Sequence, residues 1–418
     1  MRRFLILHFV LFLALAGCGV GALGQSLDEG FISRSAPAPS FLTPEPARYN
    51  LKFGKLQARI RASMQIEAND NINLSANNRA ADIAFSPHGE VGFVYPINEI
   101  QLLELNIGMG YRWYLFHPAI SDFSIDPKTR IDYRIRLVHP IEARVYDNFS
   151  IVTDPTSRPD ISGPEGQLVN FNMLANTIGL LLNWEPNSEW RFSGGYSYTI
   201  SRSLTSEFDE LDQDAHTFSL GAYYKVSPRL TVGVVGSYGL SLYSTNYASS
   251  ADSYTIGPTA IFRPTQFIQV SASVGYTTMH FNQPGFSGDK SQPGADVSAS
   301  LSVMHKLNRY LTEDINLSNG LMLGLQNNFN QVLSMQYGLS SRFSGGLTIR
   351  TSFSYNALMS SGPLGENASQ YLFYVGTGHQ LTRLWSANIG YAFALKDSSI
   401  ANNDYLQNRL TLDVTREF

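Results

Sequence analysis

From about Gln57 to the last residue, Phe418, the chain is built of short stretches in which apolar and polar residues alternate, and no amphipathic helix interrupts them. Period two is the period of a strand, whose successive side chains point to opposite faces. In the first stretch Ala58, Ile60, Ala62, Met64 and Ile66 fall on one face, and Arg59, Arg61, Ser63, Gln65 and Glu67 on the other. Such strands hide their apolar faces either in the cores of soluble sandwiches or against lipid. Composition separates the two, because only 15% of the residues are charged and 12% aromatic, while Gly, Ser and Asn are plentiful. That balance is lean for a soluble β-protein and ordinary for strands whose outer face is solvated by lipid. Turn signals recur throughout the 418 residues with no linker between candidate domains. The expected fold is all-β, a transmembrane antiparallel up-and-down β-barrel of about 18 strands, with about 16 the alternative. Closure leaves no unpaired edge in the hydrocarbon.

The N-terminus supplies the address. Met1-Arg2-Arg3 followed by the apolar run Phe4 to Ala16 reads as a secretory signal, too short to span as a mature helix. Residues 1–24 are then a signal peptide, 25–54 a periplasmic Pro/Ser-rich linker and 55–418 the barrel, and the expected location is the outer membrane of a Gram-negative bacterium. Two processing routes stay open. Leu15-Ala16-Gly17-Cys18 matches a lipobox that would lipidate Cys18, whereas Ala22-Leu23-Gly24 suits ordinary signal peptidase. Cys18 is the only cysteine, which excludes an intramolecular disulfide and a cysteine-based metal site. The segment Gln25 to Asn50 is too short for a folded plug, although extended it could enter the lumen.

Tight connections are expected at Pro96-Ile97-Asn98, His139-Pro140, Glu185 to Ser188, Ser227-Pro228, Pro264-Thr265, Asn308-Arg309, Ser344-Gly345 and Thr382-Arg383. Long ones are expected at Asn69 to Arg79, His117 to Thr129, Asp154 to Val169, Leu204 to Asp214 and Asn282 to Gly294. Tight turns belong to the periplasmic side of such barrels and long loops to the outside, so both termini face the periplasm. Between Arg130 and Ile151, His139-Pro140 either splits two strands or bends one. Pro87 and Pro258 fall inside strands, remove a ladder donor and predict bulges.

The outer face reads strand by strand. It includes Leu103, Leu105, Ile107, Met109, Tyr111 and Trp113; Ile131, Tyr133, Ile135 and Leu137; Trp190, Phe192, Tyr196 and Tyr198; Leu230, Val232 and Val234; and Trp385, Ile389, Tyr391 and Phe393. Aromatics gather toward strand ends, as in interfacial girdles. Leu410, Leu412 and Val414 lead to a terminal Phe418, resembling the aromatic signature that such barrels present to their assembly machinery, with Arg416 departing from it.

The inner face carries the chemistry. Arg59, Arg61, Arg112, Arg130, Arg134, Arg136 and Arg144 all point inward on the first five strands, Arg409 adjoins them by closure, and Lys225, Arg263 and Arg350 are isolated basics farther on. Basic rows select anions in pores. Glu67, Glu90, Glu104, Asp132 and Glu142 share the same quarter, so the arginines equally suit a cross-strand charge ladder. The pore-lining candidates are Arg59, Arg61, Arg112, Arg134, Arg136 and Arg144.

Other functions have thinner support. The acidic stretch Glu207, Asp209, Glu210, Asp212 and Asp214 suits calcium, a bridge to lipopolysaccharide or plain solvation, and lacks a full calcium-loop spacing. His88 and Glu90 point the same way, but no nucleophile and base can be assembled around them, so catalysis is not expected. No cofactor and no nucleic-acid partner is expected.

A Pro/Ser-rich leader, the run Glu67-Ala68-Asn69-Asp70-Asn71-Ile72 and the pairs Gly110-Tyr111, Gly195-Tyr196 and Gly275-Tyr276 give the chain a resemblance to the type 2 β-barrel porin family. The resemblance implies an outer-membrane protein associated with exopolysaccharide, similar in architecture to alginate-exporting barrels. The partners that follow are outer-membrane lipid and lipopolysaccharide, the assembly machinery through Phe418, and an anionic polysaccharide. Two readings result: a channel for anionic solutes or exopolysaccharide, or a structural or accessory barrel with a closed lumen.

Overall fold

The computed structural model describes residues 49–138, 140–153, 171–244, 250–281, 296–324, 327–362 and 365–418. The expected signal peptide, most of the expected linker, His139 and the expected loops Asp154 to Val169 and Asn282 to Gly294 lie outside the described residues. The first strands are β1 (Leu51–Phe53), β2 (Leu56–Asn69), β3 (Asp82–Asn98), β4 (Gln101–Tyr114), β5 (Asp122–Ile125), β6 (Arg130–Val138) and β7 (Ile141–Val152). Next come β8 (Met173–Trp184), β9 (Trp190–Ser203), β10 (Gln213–Ser227), β11 (Leu230–Tyr243), β12 (Ala251–Thr265), β13 (Ile268–Phe281) and β14 (Asp296–Lys306). The last are β15 (Leu311–Leu323), β16 (Phe329–Arg342), β17 (Leu347–Ser360), β18 (Asn367–Gln380), β19 (Trp385–Ser398) and β20 (Tyr405–Glu417).

Each strand pairs antiparallel with its neighbours in one sheet, and β2 pairs with β20 from Arg61 opposite Glu417 to Asn69 opposite Arg409. The sheet is therefore a closed barrel. Two of its 20 segments add no position of their own. β5 pairs with the upper half of β4 and β6 with the lower half, so the two are one interrupted strand. β1 folds back on β2 at Gly54 and pairs only with Leu56 to Ala58, below the point where β20 ends. Removing these two from 20 leaves 18 positions, as the alternation predicts.

The interruption is a correction. The stretch His117 to Thr129 reads as loop in the sequence, yet Asp122–Ile125 returns to the wall. Asp126 and Thr129 close the break, the Asp126 amide donating to the Gly108 carbonyl and the Thr129 amide to that of Asp126. His139-Pro140 separates two strands, with β6 and β7 paired antiparallel. The bulges expected at Pro87 and Pro258 are absent. On one side of each proline the ladder runs through unbroken, and on the other it skips two pairs and resumes in the same register. Proline costs the ladder a donor, but the long flanking runs hold the alignment.

The outer face is apolar. Met109, Tyr111, Trp113, Ile131, Leu137, Trp190, Val232, Val234, Trp385, Ile389 and Tyr391 are all exposed there, as the alternation predicts. Aromatic contacts run across strands near both ends. At the end with tight turns, Trp190 stacks on Phe192 and packs against Tyr224 at 5.0 Å. At the loop end, Tyr238 meets Tyr254 at 4.9 Å and Tyr198 stacks on His216 at 4.7 Å. Arg416, the departure in the terminal strand, lies 4.5 Å over the Phe418 ring and 5.5 Å over Trp385. Its charge thus rests on aromatic faces at the end of the barrel.

The first loop, Asp70 to Ala81, turns onto the inner wall. The Asn71 side chain donates to Leu406 O at 2.8 Å, and Gln407 Nε2 donates back to Asn71 O at 2.7 Å. Leu74 is fully buried against Ala394, Tyr405 and Leu372, with a left-handed φ of 48°. A non-glycine residue in that region is strained, and the buried apolar contact holds it there. Burial of a leucine is worth about 1.5–3 kcal/mol, enough for about a tenfold change in loop opening. Leu74→Asp is expected to raise amide exchange of Asn71 to Ser75 at least tenfold by mass spectrometry while the barrel stays folded. Unchanged exchange would show that the hydrogen bonds alone hold the loop.

Candidate functional site

Inward positions on β2 to β7 hold alternating charges, and the register decides how they meet. Glu104 lies opposite Asp132 across β4 and β6, and Arg134 opposite Arg144 across β6 and β7. Like charges directly opposed repel. Here the carboxylate row and the guanidinium row are offset by two residues, so attraction runs diagonally. Arg134 reaches Glu104 at 3.0 Å and Asp132 at 3.2 Å, and Arg144 reaches Asp132 at 2.5 Å. Asp132 is completely buried by these contacts. Arg130 approaches Glu104 at 3.8 Å, and Arg136 bonds Glu142 at 2.9 Å. On β2, Arg61 pairs with Glu90, whose other oxygen is 4.0 Å from Arg59.

The structure thus brings Arg59, Arg61, Arg134, Arg136 and Arg144 against carboxylates. Arg112 stands opposite Asp122, and Arg409 opposite Asn69 as closure predicts. His88 and Glu90 do share the inner face. The histidine's partner is one the sequence does not flag: Asp126, from the interruption in the fourth strand, with Oδ2 3.0 Å from His88 Nε2. A Cβ at Gly108 would sit 2.4 Å from that carboxylate, so the glycine makes the approach possible.

A second group of charges lies along the turn end of β9 to β17. Inward alternation places Arg191 at the start of β9, Lys225 at the end of β10, Arg263 near the end of β12, Lys306 at the end of β14, Arg342 at the end of β16 and Arg350 near the start of β17. Their cross-strand partners are uncharged. Arg191 faces Tyr223, Lys225 faces Thr231, Lys306 faces Thr312, Arg342 faces Thr348, and Arg350 faces Ser340. Arg263 donates through Nε to Gln269 Oε1 at 2.9 Å. Among the described residues none of these six forms an ion pair, although Asp314 lies on the same arc beside Gly338. Sequence reasoning names Lys225, Arg263 and Arg350 only as isolated basics and misses Arg191, Lys306 and Arg342. Counting inward from the exposed Trp190 would have placed Arg191.

Above this arc the wall is hydroxyl-rich. Thr255 and Thr277 meet at 3.0 Å, Ser273 and Ser300 at 2.7 Å, and Ser302 donates to Asn316 at 2.8 Å. The acidic stretch near residue 210 does not converge. Asp212 accepts from the Ser203 amide, and Asp214 pairs with Arg202 at 2.8 Å. Among the described residues no group of three or more His, Cys, Asp or Glu side chains is arranged for a metal.

No family model and no curated protein matches the chain. Among solved structures it is similar to the outer-membrane protein OpdK from Pseudomonas aeruginosa, with 11% identity, 87% of this chain and 99% of that chain covered, and a TM-score of 0.48. It is also similar to Pseudomonas aeruginosa OccK2 (OpdF) in complex with glucuronate, at 12% identity, 87% and 98% coverage and a TM-score of 0.48. A BenF-like porin from Pseudomonas fluorescens Pf-5 gives 12% identity, 88% and 100% coverage and a TM-score of 0.48. At these values no residue role or solute carries over.

The diagonal ladder makes a stability prediction. Arg144→Gln strips Asp132 of its closest partner and leaves a buried carboxylate held by Arg134 alone, an imbalance that costs roughly 3 kcal/mol. Urea unfolding in detergent micelles is expected to show that loss, whereas Arg350→Gln, which breaks no ion pair, is expected to stay within about 0.5 kcal/mol of the parent. Equal midpoints for both variants would mean that the ladder contributes nothing to the wall.

Proposed function

We propose that this chain is a channel across the bacterial outer membrane that favours small anionic solutes. A closed barrel of 18 positions usually leaves an aqueous lumen. Its apolar exterior with aromatic ends suits a bilayer, and the end with tight turns and both chain ends is then periplasmic. The observation that carries the anion preference is the arc of Arg191, Lys225, Arg263, Lys306, Arg342 and Arg350, six inward cations free of ion pairs among the described residues. The wall of β2 to β7 plays the other part. Its arginines are largely balanced by carboxylates and serve mainly to fix the strands to one another.

A closed lumen is the second reading, favoured by the first loop, which covers the inner wall of β18 to β20 through Asn71 and Leu74. The run Asp70-Asn71-Ile72, part of the resemblance to the exopolysaccharide-associated family, belongs to that loop. A loop fixed inside the mouth suits small solutes better than a polymer.

Reversal potentials in a salt gradient across planar bilayers test the proposal. Lys225→Gln, Arg342→Gln and Arg350→Gln together are expected to lower the anion-to-cation permeability ratio at least threefold with little change in folding. The paired substitution Arg136→Gln with Glu142→Gln removes one charge of each sign and is expected to leave the ratio unchanged. The opposite result would move selectivity to the ladder, and no conductance at all would favour the closed barrel.

A further inference from the structure

At the break in the fourth strand the wall holds more chain than it needs. Ile125 stands opposite Met109 on β4 and Ile151 on β7, and Arg130 stands opposite Asn106 and Asn148. Over this interval each neighbour spends two residues, Ile107-Gly108 on one side and Phe149-Ser150 on the other, whereas the interrupted strand spends four, Asp126-Pro127-Lys128-Thr129. Asp126 and Thr129 fill the two wall positions. The Asp126 amide donates to Gly108 O at 3.0 Å, the Gly108 amide to Thr129 Oγ at 3.0 Å, and the Phe149 amide to Thr129 O at 3.0 Å. Pro127 and Lys128 are surplus and leave the wall as a turn. The Thr129 amide closes it on Asp126 O at 2.9 Å, with proline in the second position, where its fixed φ fits.

The turn leans into the lumen. Its Asp126 carboxylate lies over the inner face of Gly108 and reaches across β4 to His88 on β3, at 3.0 Å. The inward Asn106 carboxamide lies beside Gly92 of β3, and its nitrogen donates to Lys128 O at 3.3 Å. Both contacts draw the turn over the inner face of β4. Pro127 and Lys128 at the tip are exposed, and among the described residues Lys128 forms no ion pair. Asp126, at the root, is turned back to His88. The charge that stands out from the wall is therefore the ammonium. Ile107 and Gly108 lie at the middle of β4, so the turn projects at half the height of that strand.

We propose that this turn is a ledge that narrows the lumen and that Lys128 is its anion-selecting residue. The proposal rests on the channel reading and adds to the basic arc a cation at a different depth. An inward step with a cation at its tip places the field where the passage is narrower, and there a single charge acts most strongly on a passing ion. Two extra residues in a strand re-aim side chains without disturbing the register on either side, as bulges do beside functional sites.

Conductance and reversal potential across planar bilayers separate width from charge. In concentrated salt, where fields are screened within about 3 Å, conductance reads the width; in a gradient of dilute salt the reversal potential reads the charge. Deleting Pro127 and Lys128 together lets Thr129 follow Asp126 in the existing register. The deletion variant is expected to fold and to conduct about 1.3-fold or more above Lys128→Met. Lys128→Met is expected to lower the anion-to-cation permeability ratio about twofold or more, and Lys128→Glu about fourfold or more. Heat-modifiable mobility on gels reports folding. If the deletion variant fails to fold, Lys128→Cys in a Cys18→Ser background replaces it, and a bulky water-soluble methanethiosulfonate is expected to cut its current by about a third or more. Equal conductance in the folded deletion variant, or an uncut current after labelling confirmed by mass, overturns the ledge. An unchanged permeability ratio in Lys128→Glu overturns the selecting role. A parent that carries no current removes the channel reading and the selecting role with it, whereas a parent that conducts while all these variants match it keeps the channel and loses the ledge.

Discussion

In hydrocarbon there is no water to satisfy a backbone N–H or C=O, and each one left unpaired costs several kcal/mol. The junction of β2 with β20 is therefore the contact on which the rest depends. It spans Arg61 to Asn69 on one strand and Glu417 to Arg409 on the other. The Phe418 amide extends it by donating to Ile60 O. Below that point the edge of β2 would be bare, and β1 covers it, with Asn50 gripping both the amide and the carbonyl of Ile60 through its side chain. The residues just before the barrel thus complete its wall.

Closure divides every strand into an outward and an inward set, and it leaves the chain with inward charges to accommodate. The two sides of the barrel solve this differently. On β2 to β7 the charges find partners of opposite sign in place, along the strand and diagonally where Asp132 meets Arg134 and Arg144, and directly across the strands where Arg61 faces Glu90 and Arg136 faces Glu142. From β9 to β17 they come singly, one near the turn end of a strand, with hydroxyls opposite. A charge in a ladder is spent on its neighbours; a charge opposite threonine keeps its field in the lumen.

The strand number and facing were legible because period two survives almost unbroken, and a one-residue slip would have turned Arg134 and Arg136 outward. Features that depend on neighbours were not. Asp126-Pro127-Lys128-Thr129 reads as the end of a loop, and only the pairing of Asp122–Ile125 with β4 makes it an interruption within a strand. Pro87 and Pro258 invoke a local rule that the alignment of whole strands overrides. Ile72 and Leu74, apolar residues in an otherwise polar loop, were a usable sign that the loop has a wall to lie on. The basic arc was hidden for another reason. Its members are spread over more than 150 residues of sequence, from Arg191 to Arg350, and only the shared turn end brings them together.

The position of that arc constrains how a solute would pass. A solute entering from the loop end meets serine and threonine side chains already bonded to each other, which offer weak, exchangeable contacts. The free cations come last. Conduction requires binding strong enough to draw a solute in and weak enough to release it, and a complete ring of ion-paired arginines would satisfy neither condition. Six cations spread along one arc attract over distance, and among the described residues no carboxylate is ion-paired with any of them. An anion passing along the arc would meet a succession of weak partners and no single strong one.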